Sequence, residues 1–195
     1  MEKYFKIITV VFFLVITISC SKDDEASELK TYPEENPLAL YLEKSEFNQS
    51  TANHVDTLYS EQGFQFKPKV KGIMKAVTLK IPDNATNIRV TIWNADTHVI
   101  IKTITVPNVN ANTEIRQEIE PLEMVPETRY SIVFNGNDYY ERLRANGSEQ
   151  NAPIDAGNVS IIYTVFVDGN SQNYPWPMQK KSYLGDISFV FQQTK

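Results

Sequence analysis

From Gly63 onward, apolar side chains recur at every second position in short runs separated by clusters of Pro, Asn, Asp and Gly. That period belongs to extended chain with one face buried. Residues 72–81 put Ile73, Val77, Leu79 and Ile81 on one side, and residues 87–93 do the same with Ile88, Val90 and Ile92. The next run, 98–106, follows across Asn94-Ala95-Asp96-Thr97, whose Asn and Asp tolerate tight backbone geometry, so a hairpin is expected there. Further strands are predicted at 114–120 with Ile115 and Ile119 inward, at 129–135 with Tyr130, Ile132 and Phe134 on one face, and near 138–143. Two more close the chain. In one, Val159, Ile161, Tyr163, Val165 and Val167 alternate with polar or smaller residues; in the other, Ile187, Phe189 and Phe191 alternate with Ser188, Val190 and Gln192. Residues 38–47 fit either period, since Leu38, Leu40 and Leu42 alternate while Leu38, Tyr41 and Leu42 suit a helical turn. About eight strands, with no internal repeat and no βαβ alternation, predict an all-β fold: a single antiparallel β-sandwich of jelly-roll type, with a closed β-barrel as the alternative.

The N-terminus follows a different pattern. Lys3 and Lys6 precede an apolar run from Ile7 to Ile18, which ends at Ser19 and Cys20. A basic start, a short apolar core and a small residue before the cut are the order of a secretory signal peptide. The run is short of the roughly 20 residues that a membrane-spanning helix needs. Cys20 is the only cysteine, so it has no disulfide or redox partner within the chain, and lipid attachment gives it a purpose. The expected division is a signal peptide at 1–19, a lipidated cysteine and flexible acidic tether at 20–37, and a sandwich domain at 38–195. The tether reading rests on Asp, Glu, Lys, Ser and Pro between Ser21 and Pro37, with Leu29 and Tyr32 too few to form a core.

Thr17-Ile18-Ser19-Cys20 resembles a loose lipobox, with Thr17 where Leu is usual, and Ser21-Lys22-Asp23-Asp24-Glu25 resembles the acidic export signal of Bacteroidota lipoproteins. The resemblance implies a lipid anchor in the outer membrane with the domain facing the cell exterior. In the body of the chain, Gly63-Phe64-Gln65-Phe66, the stretch from Pro121 to Tyr130, and Tyr183-Leu184-Gly185-Asp186-Ile187-Ser188-Phe189 look like the DUF4082 sandwich domains. That resemblance covers most of residues 58–192 and implies a fold, since the family has no established chemistry.

Charge narrows the partners. Taking Lys3, Lys6 and Glu2 from the 19 basic and 24 acidic residues of the whole chain leaves 17 and 23, a net charge of −6 after cleavage. Such a surface offers nucleic acid no electrostatic attraction, and the expected membrane contact is the lipid.

Only His54 and His98 are available for general-base or metal work, and no metalloprotease helix, nucleophile elbow or phosphate loop is present. Glycoside hydrolysis by two carboxylates is the one catalytic class left open, and the chain is read as a non-enzyme without a cofactor. Asp96, Asp138 and Asp168-Gly169-Asn170 are weak candidates for a structural Ca²⁺, because turns use the same residues. The sharper signal is aromatic: Tyr139 and Tyr140 follow Asn135-Gly136-Asn137-Asp138, and Tyr174 and Trp176 sit in Asn173-Tyr174-Pro175-Trp176-Pro177. With Asp138, Arg142 and Arg144 near one pair, and Asn173 and Gln179 near the other, each loop combines flat rings for the C–H face of a sugar with polar groups for its hydroxyls. The candidate ligand-binding residues are therefore Tyr139, Tyr140, Arg142, Tyr174 and Trp176. The competing reading is that these rings plug the end of the sandwich. Trp93 and His98, flanking the hairpin turn, could present a further ring. The function expected is a non-catalytic carbohydrate-binding module at the cell surface, with a structural or adhesive protein-interaction subunit as the alternative.

Overall fold

The computed structural model describes residues 31–178 and 181–194. The signal segment, Cys20 and the acidic run lie outside the described residues, as does Gln179. Among the described residues, twelve strands and one helix succeed one another as β1 (Glu34–Glu35), α1 (Pro37–Ser45), β2 (Ser50–Pro68), β3 (Gly72–Lys80), β4 (Ala85–Asn94), β5 (Val99–Val109), β6 (Ile115–Met124), β7 (Tyr130–Leu143), β8 (Ile154–Ala156), β9 (Val159–Asp168), β10 (Trp176–Pro177), β11 (Ser182–Leu184) and β12 (Asp186–Gln193). They form two packed antiparallel sheets, a sandwich and not a closed barrel. The smaller runs β1-β12-β3-β6 and the larger β10-β9-β2-β7-β4-β5, with β8 on β9 and β11 on β7.

The core between the sheets is aromatic. Phe64, Phe66, Phe134, Phe189 and Phe191 are all without solvent exposure, and the Phe66 and Phe189 rings meet at 4.4 Å. Helix α1 resolves the ambiguity at 38–47. Asn36 caps it by accepting the Leu38 N–H at 3.2 Å, Pro37 opens it, and Leu38, Tyr41 and Leu42 pack into the core from one face. Tyr41 lies 5.4 Å from Tyr183, so the helix closes one end of the sandwich.

Among the described residues, strand pairing begins before residue 38, where the domain was expected to start. Glu34 and Glu35 pair with Gln192 and Phe191 inside the segment assigned to the tether. Glu34 is held there by Lys75 and by Arg116, whose Nη1 donates at 2.8 Å, and these cations lower its carboxyl to about 2. Charged anchoring of this sort leaves no hydrophobic period to read.

Most predicted strands and their faces are present, including the hairpin, where Asn94 Oδ1 accepts the N–H groups of Asp96 and Thr97 at 2.9 and 3.0 Å. Bulges overturn the alternation at two places. Lys75 is an extra residue in β3, so Met74 is buried before it and Val77 and Leu79 after it, while Ile73 is only half-buried. Ile162 is an extra residue in β9: Val159 and Ile161 face the main core, whereas Tyr163 and Val165 join Trp93 and Val133 on the outer face of the large sheet. The runs 129–135 and 138–143 are one continuous strand, β7, and the first half of β2, from Ser50, lacks a readable alternation. Gly63 lies where β2 passes between β7 and β9. A Cβ there would stand 2.1 Å from the Ile132 carbonyl oxygen, so no larger residue fits.

Candidate functional site

Of the five residues singled out in the sequence, three lie in β7 or pair from it, not in a loop. Tyr139 is buried, stacks on His54 at 5.5 Å and donates its hydroxyl to Asp56 Oδ2 at 2.8 Å. Burial, together with the neighbouring Asp56, pushes its phenol up. Tyr140 is also buried and donates to Asn112 Oδ1, with Lys80 Nζ and Arg142 Cζ 5.7 and 5.8 Å from its ring centre. Arg142 forks onto Asp186, with Nε 2.6 Å from Oδ1, and Arg144 binds Glu46 and the Glu149 carbonyl. The expectation of exposed loop rings does not hold for Tyr139 and Tyr140: Asn135-Gly136-Asn137-Asp138 has turn composition, but its backbone stays extended because β2 pairs along it.

The other two candidates lie on a strap that leaves β9, crosses the outer face of the large sheet with Tyr174 and ends at Trp176, the first residue of β10. Gln172 Nε2 donates to Thr91 Oγ1 at 2.9 Å and to Thr103 Oγ1 at 2.7 Å, tying the strap to β4 and β5. Tyr174 then covers Trp93, ring to ring at 5.6 Å, and stacks on His98 at 3.9 Å. Trp93 is thus buried on the outer face beneath a lid, and His98 joins the cluster from the hairpin turn. Trp176 stands at the rim, 57 % exposed, nearly perpendicular to both Tyr174 and His98. Among the described residues no ring contact joins this group to Tyr139 or Tyr140.

A concavity lies elsewhere, at a fork in the large sheet. From Asn94 back to Val90, β4 pairs with β7, ending at Val90 opposite Phe134. Before Val90, residues 85–89 continue with β5 alone, while β7 beyond Phe134 continues with β2. The two strands part, leaving a cleft of about 280 Å³ floored by Ile81, Ile88, Phe134 and Gly136. A Cβ on Gly136 would sit 2.8 Å from the Phe134 ring, so the glycine keeps the floor low. Tyr59, Asn87, Arg89, Asn135, Asn137, Asp138 and Asn170 supply the walls.

These walls are braced from behind. Arg89 Nη2 donates to Glu61 Oε1 at 2.5 Å and to the Asn170 carbonyl at 3.0 Å. Asn135 donates to the Gly169 carbonyl at 3.1 Å, Gly169 N–H to the Tyr59 carbonyl at 2.7 Å, and Asn137 to the Asp56 carbonyl at 2.9 Å. Glu61 has no solvent exposure, and burial pushes its carboxyl up against the opposing pull of Arg89. Asp138 accepts the Asp83 N–H on Oδ2 at 2.8 Å, while its buried Oδ1 has no hydrogen-bond partner in the protein. Burial raises this carboxyl too.

No family model matches the chain, and no curated protein matches it in sequence. The site is therefore read from its geometry. Among the described residues no group of three or more His, Cys, Asp or Glu side chains is close enough to hold a metal; of the three Ca²⁺ candidates, Asp96 is engaged by Arg129 at 2.6 Å and Asp138 lines the cleft. What the cleft offers is planar amides, one carboxylate without a cationic partner and a phenol at 46 % exposure over an apolar floor. Asp138, Asn135 and Asn137 stand in the tetrapeptide whose polarity the sequence displays. Tyr59, Asn87 and Arg89 carry no local signal that links them to it.

Proposed function

We propose that the protein is a non-catalytic carbohydrate-binding module, held by lipid on Cys20 at the outer face of an outer membrane. The observation that carries the binding reading is the forked cleft, in which Asn87, Asn135, Asn137 and Asp138 can exchange hydrogen bonds with hydroxyls while Tyr59 offers a flat apolar face. Small-ligand pockets combine apolar surface with convergent polar groups, and in this cleft the polar side chains make up the larger part of the lining. Asp138 is the one carboxylate among the cleft-lining residues, short of the pair that glycoside hydrolysis employs. The test is a glycan panel offered to the full-length chain in detergent. Binding is expected, weakened about tenfold, or about 1.4 kcal/mol, by Asn87→Gly, which removes the amide while suiting the positive φ of 54° at that position. No binding to any glycan would overturn the reading.

The location rests on Cys20 and the acidic run after it. Cys20→Ala is expected to abolish incorporation of labelled palmitate and to release the domain from the membrane fraction. Label entering the variant would place the anchor elsewhere.

One observation favours the structural or adhesive alternative: Val99, Ile100 and Ile101 are 59, 40 and 37 % exposed in succession on β5, the edge of the large sheet. An exposed apolar edge invites another strand. Concentration-dependent self-association in sedimentation, without glycan binding, would select that reading.

A further inference from the structure

The charges around the cleft do not balance. Two of its lining residues, Arg89 and Asp138, carry formal charges of opposite sign. The positive charge of Arg89 is already taken up by Glu61 behind it, at 2.5 Å. Asp138 has no cation: its Oδ2 accepts a backbone N–H, its Oδ1 is buried and accepts nothing within the protein, and Asp83 nearby adds a second negative charge. No lysine lines the cleft. A partly desolvated carboxylate without a counter-charge is a costly arrangement in an empty protein. It becomes favourable when the ligand supplies the positive charge, since the attraction acts through a medium less polarisable than water. Tyr59, at the same cleft, presents a ring whose face attracts cations.

Resting on the carbohydrate reading above, we infer that the cleft selects a sugar carrying a free protonated amine, of the 2-amino-2-deoxyhexose type, with the ammonium drawn to the uncompensated charge of Asp138 and the hydroxyls on the amides of Asn87, Asn135 and Asn137. Acetylation of the amine removes the charge and adds bulk. An N-acetylated sugar and a neutral hexose therefore both forgo the attraction that Asp138 provides, whereas hydroxyl contacts to the amides are common to all three.

The experiment compares three oligomers of equal length, a glucosamine tetramer, its fully N-acetylated counterpart and a β-1,4-glucose tetramer, by titration calorimetry on the full-length chain in detergent at neutral pH. The glucosamine tetramer is expected to bind at least about tenfold more tightly than either of the others at low salt, with the margin shrinking as salt is raised. In Asp138→Asn, whose amide oxygen can still accept the Asp83 N–H, the margin is expected to vanish while the weaker binding of the neutral tetramer persists. Equal affinity for the three tetramers, tighter binding of an uncharged one, or a margin that survives Asp138→Asn would overturn the inference and leave carbohydrate binding standing. Failure to bind these tetramers or any member of the wider panel would remove the carbohydrate reading itself. The comparison among ligands on the unaltered protein decides the inference even if the variant does not fold.

Discussion

Tyr140→Ala is expected to destabilise the fold by about 3–5 kcal/mol, the range for removing a buried aromatic side chain, whereas Trp176→Ala costs less than about 1 kcal/mol. Tyr140 is 5 % exposed and spends its hydroxyl on Asn112, so truncation opens a cavity in the wall of the sandwich and strands an amide oxygen. Trp176 is 57 % exposed and loses only edge contacts to Tyr174 and His98. Against a total of about 5–15 kcal/mol for a typical domain, the first change is a large share and the second is not. Thermal melts of the two variants side by side are the measurement. Equal stability of both, with the melting temperature unmoved, would mean that Tyr140 is not the packed side chain described above.

Arg142→Ala carries the second large effect. Its guanidinium lies across Asp186, whose side chain is 5 % exposed, while that of Arg142 is 18 % exposed. Removing the cation leaves a buried carboxylate with no counter-charge, which costs about 3–5 kcal/mol where such pairs have been broken. Hydrogen bonds to Asp186 hold the Arg142 proton more firmly, against the opposing effect of burial. The double change Arg142→Ala with Asp186→Ala is expected to recover part of the loss, because neither charge is then stranded. Chemical denaturation of the two single variants and the double variant closes the cycle. A double variant no more stable than Arg142→Ala would show that the carboxylate is not what suffers. Tyr140 touches the same guanidinium at 5.8 Å, so effects at these two positions are not expected to add.

Both expectations concern side chains that the sequence offered as ligand contacts, and the reason for the reassignment is instructive. Asn135-Gly136-Asn137-Asp138 contains the residues of a turn, and turn chemistry is local. Its pairing with β2 is not local, being made with residues some eighty positions earlier, and it holds the segment extended. Once extended, the tetrapeptide no longer lifts Tyr139 and Tyr140 into solvent. It lines a cleft with its own polar side chains instead. Tyr174 and Trp176 divide in the same way: the strap that carries them is anchored by Gln172, and one ring becomes a lid over Trp93 while its neighbour remains outside.

The sequence alone determined the fold class, the hairpin at Asn94 to Thr97, and the inward faces carrying Ile88, Val90, Ile92, Tyr130, Ile132, Phe134, Ile187 and Phe189, because a period of two is written by each strand for itself. Tertiary structure decided whatever depended on a partner strand. The bulges at Lys75 and Ile162 reverse the alternation only because a neighbouring ladder has one residue fewer. The ambiguous stretch after Pro37 became a helix as far as Ser45 because Asn36 and Pro37 start it and the end of the sandwich needed Leu38, Tyr41 and Leu42. Ser60, Glu61 and Gln62 read as polar and lie buried, since β7 and β9 flank them on both sides. The cleft arises where β4 and β7 part company, bringing Tyr59, Asn87 and Asp138 together from three strands. Proximity of that kind is a property of register between distant segments, and no local pattern of hydrophobicity encodes it.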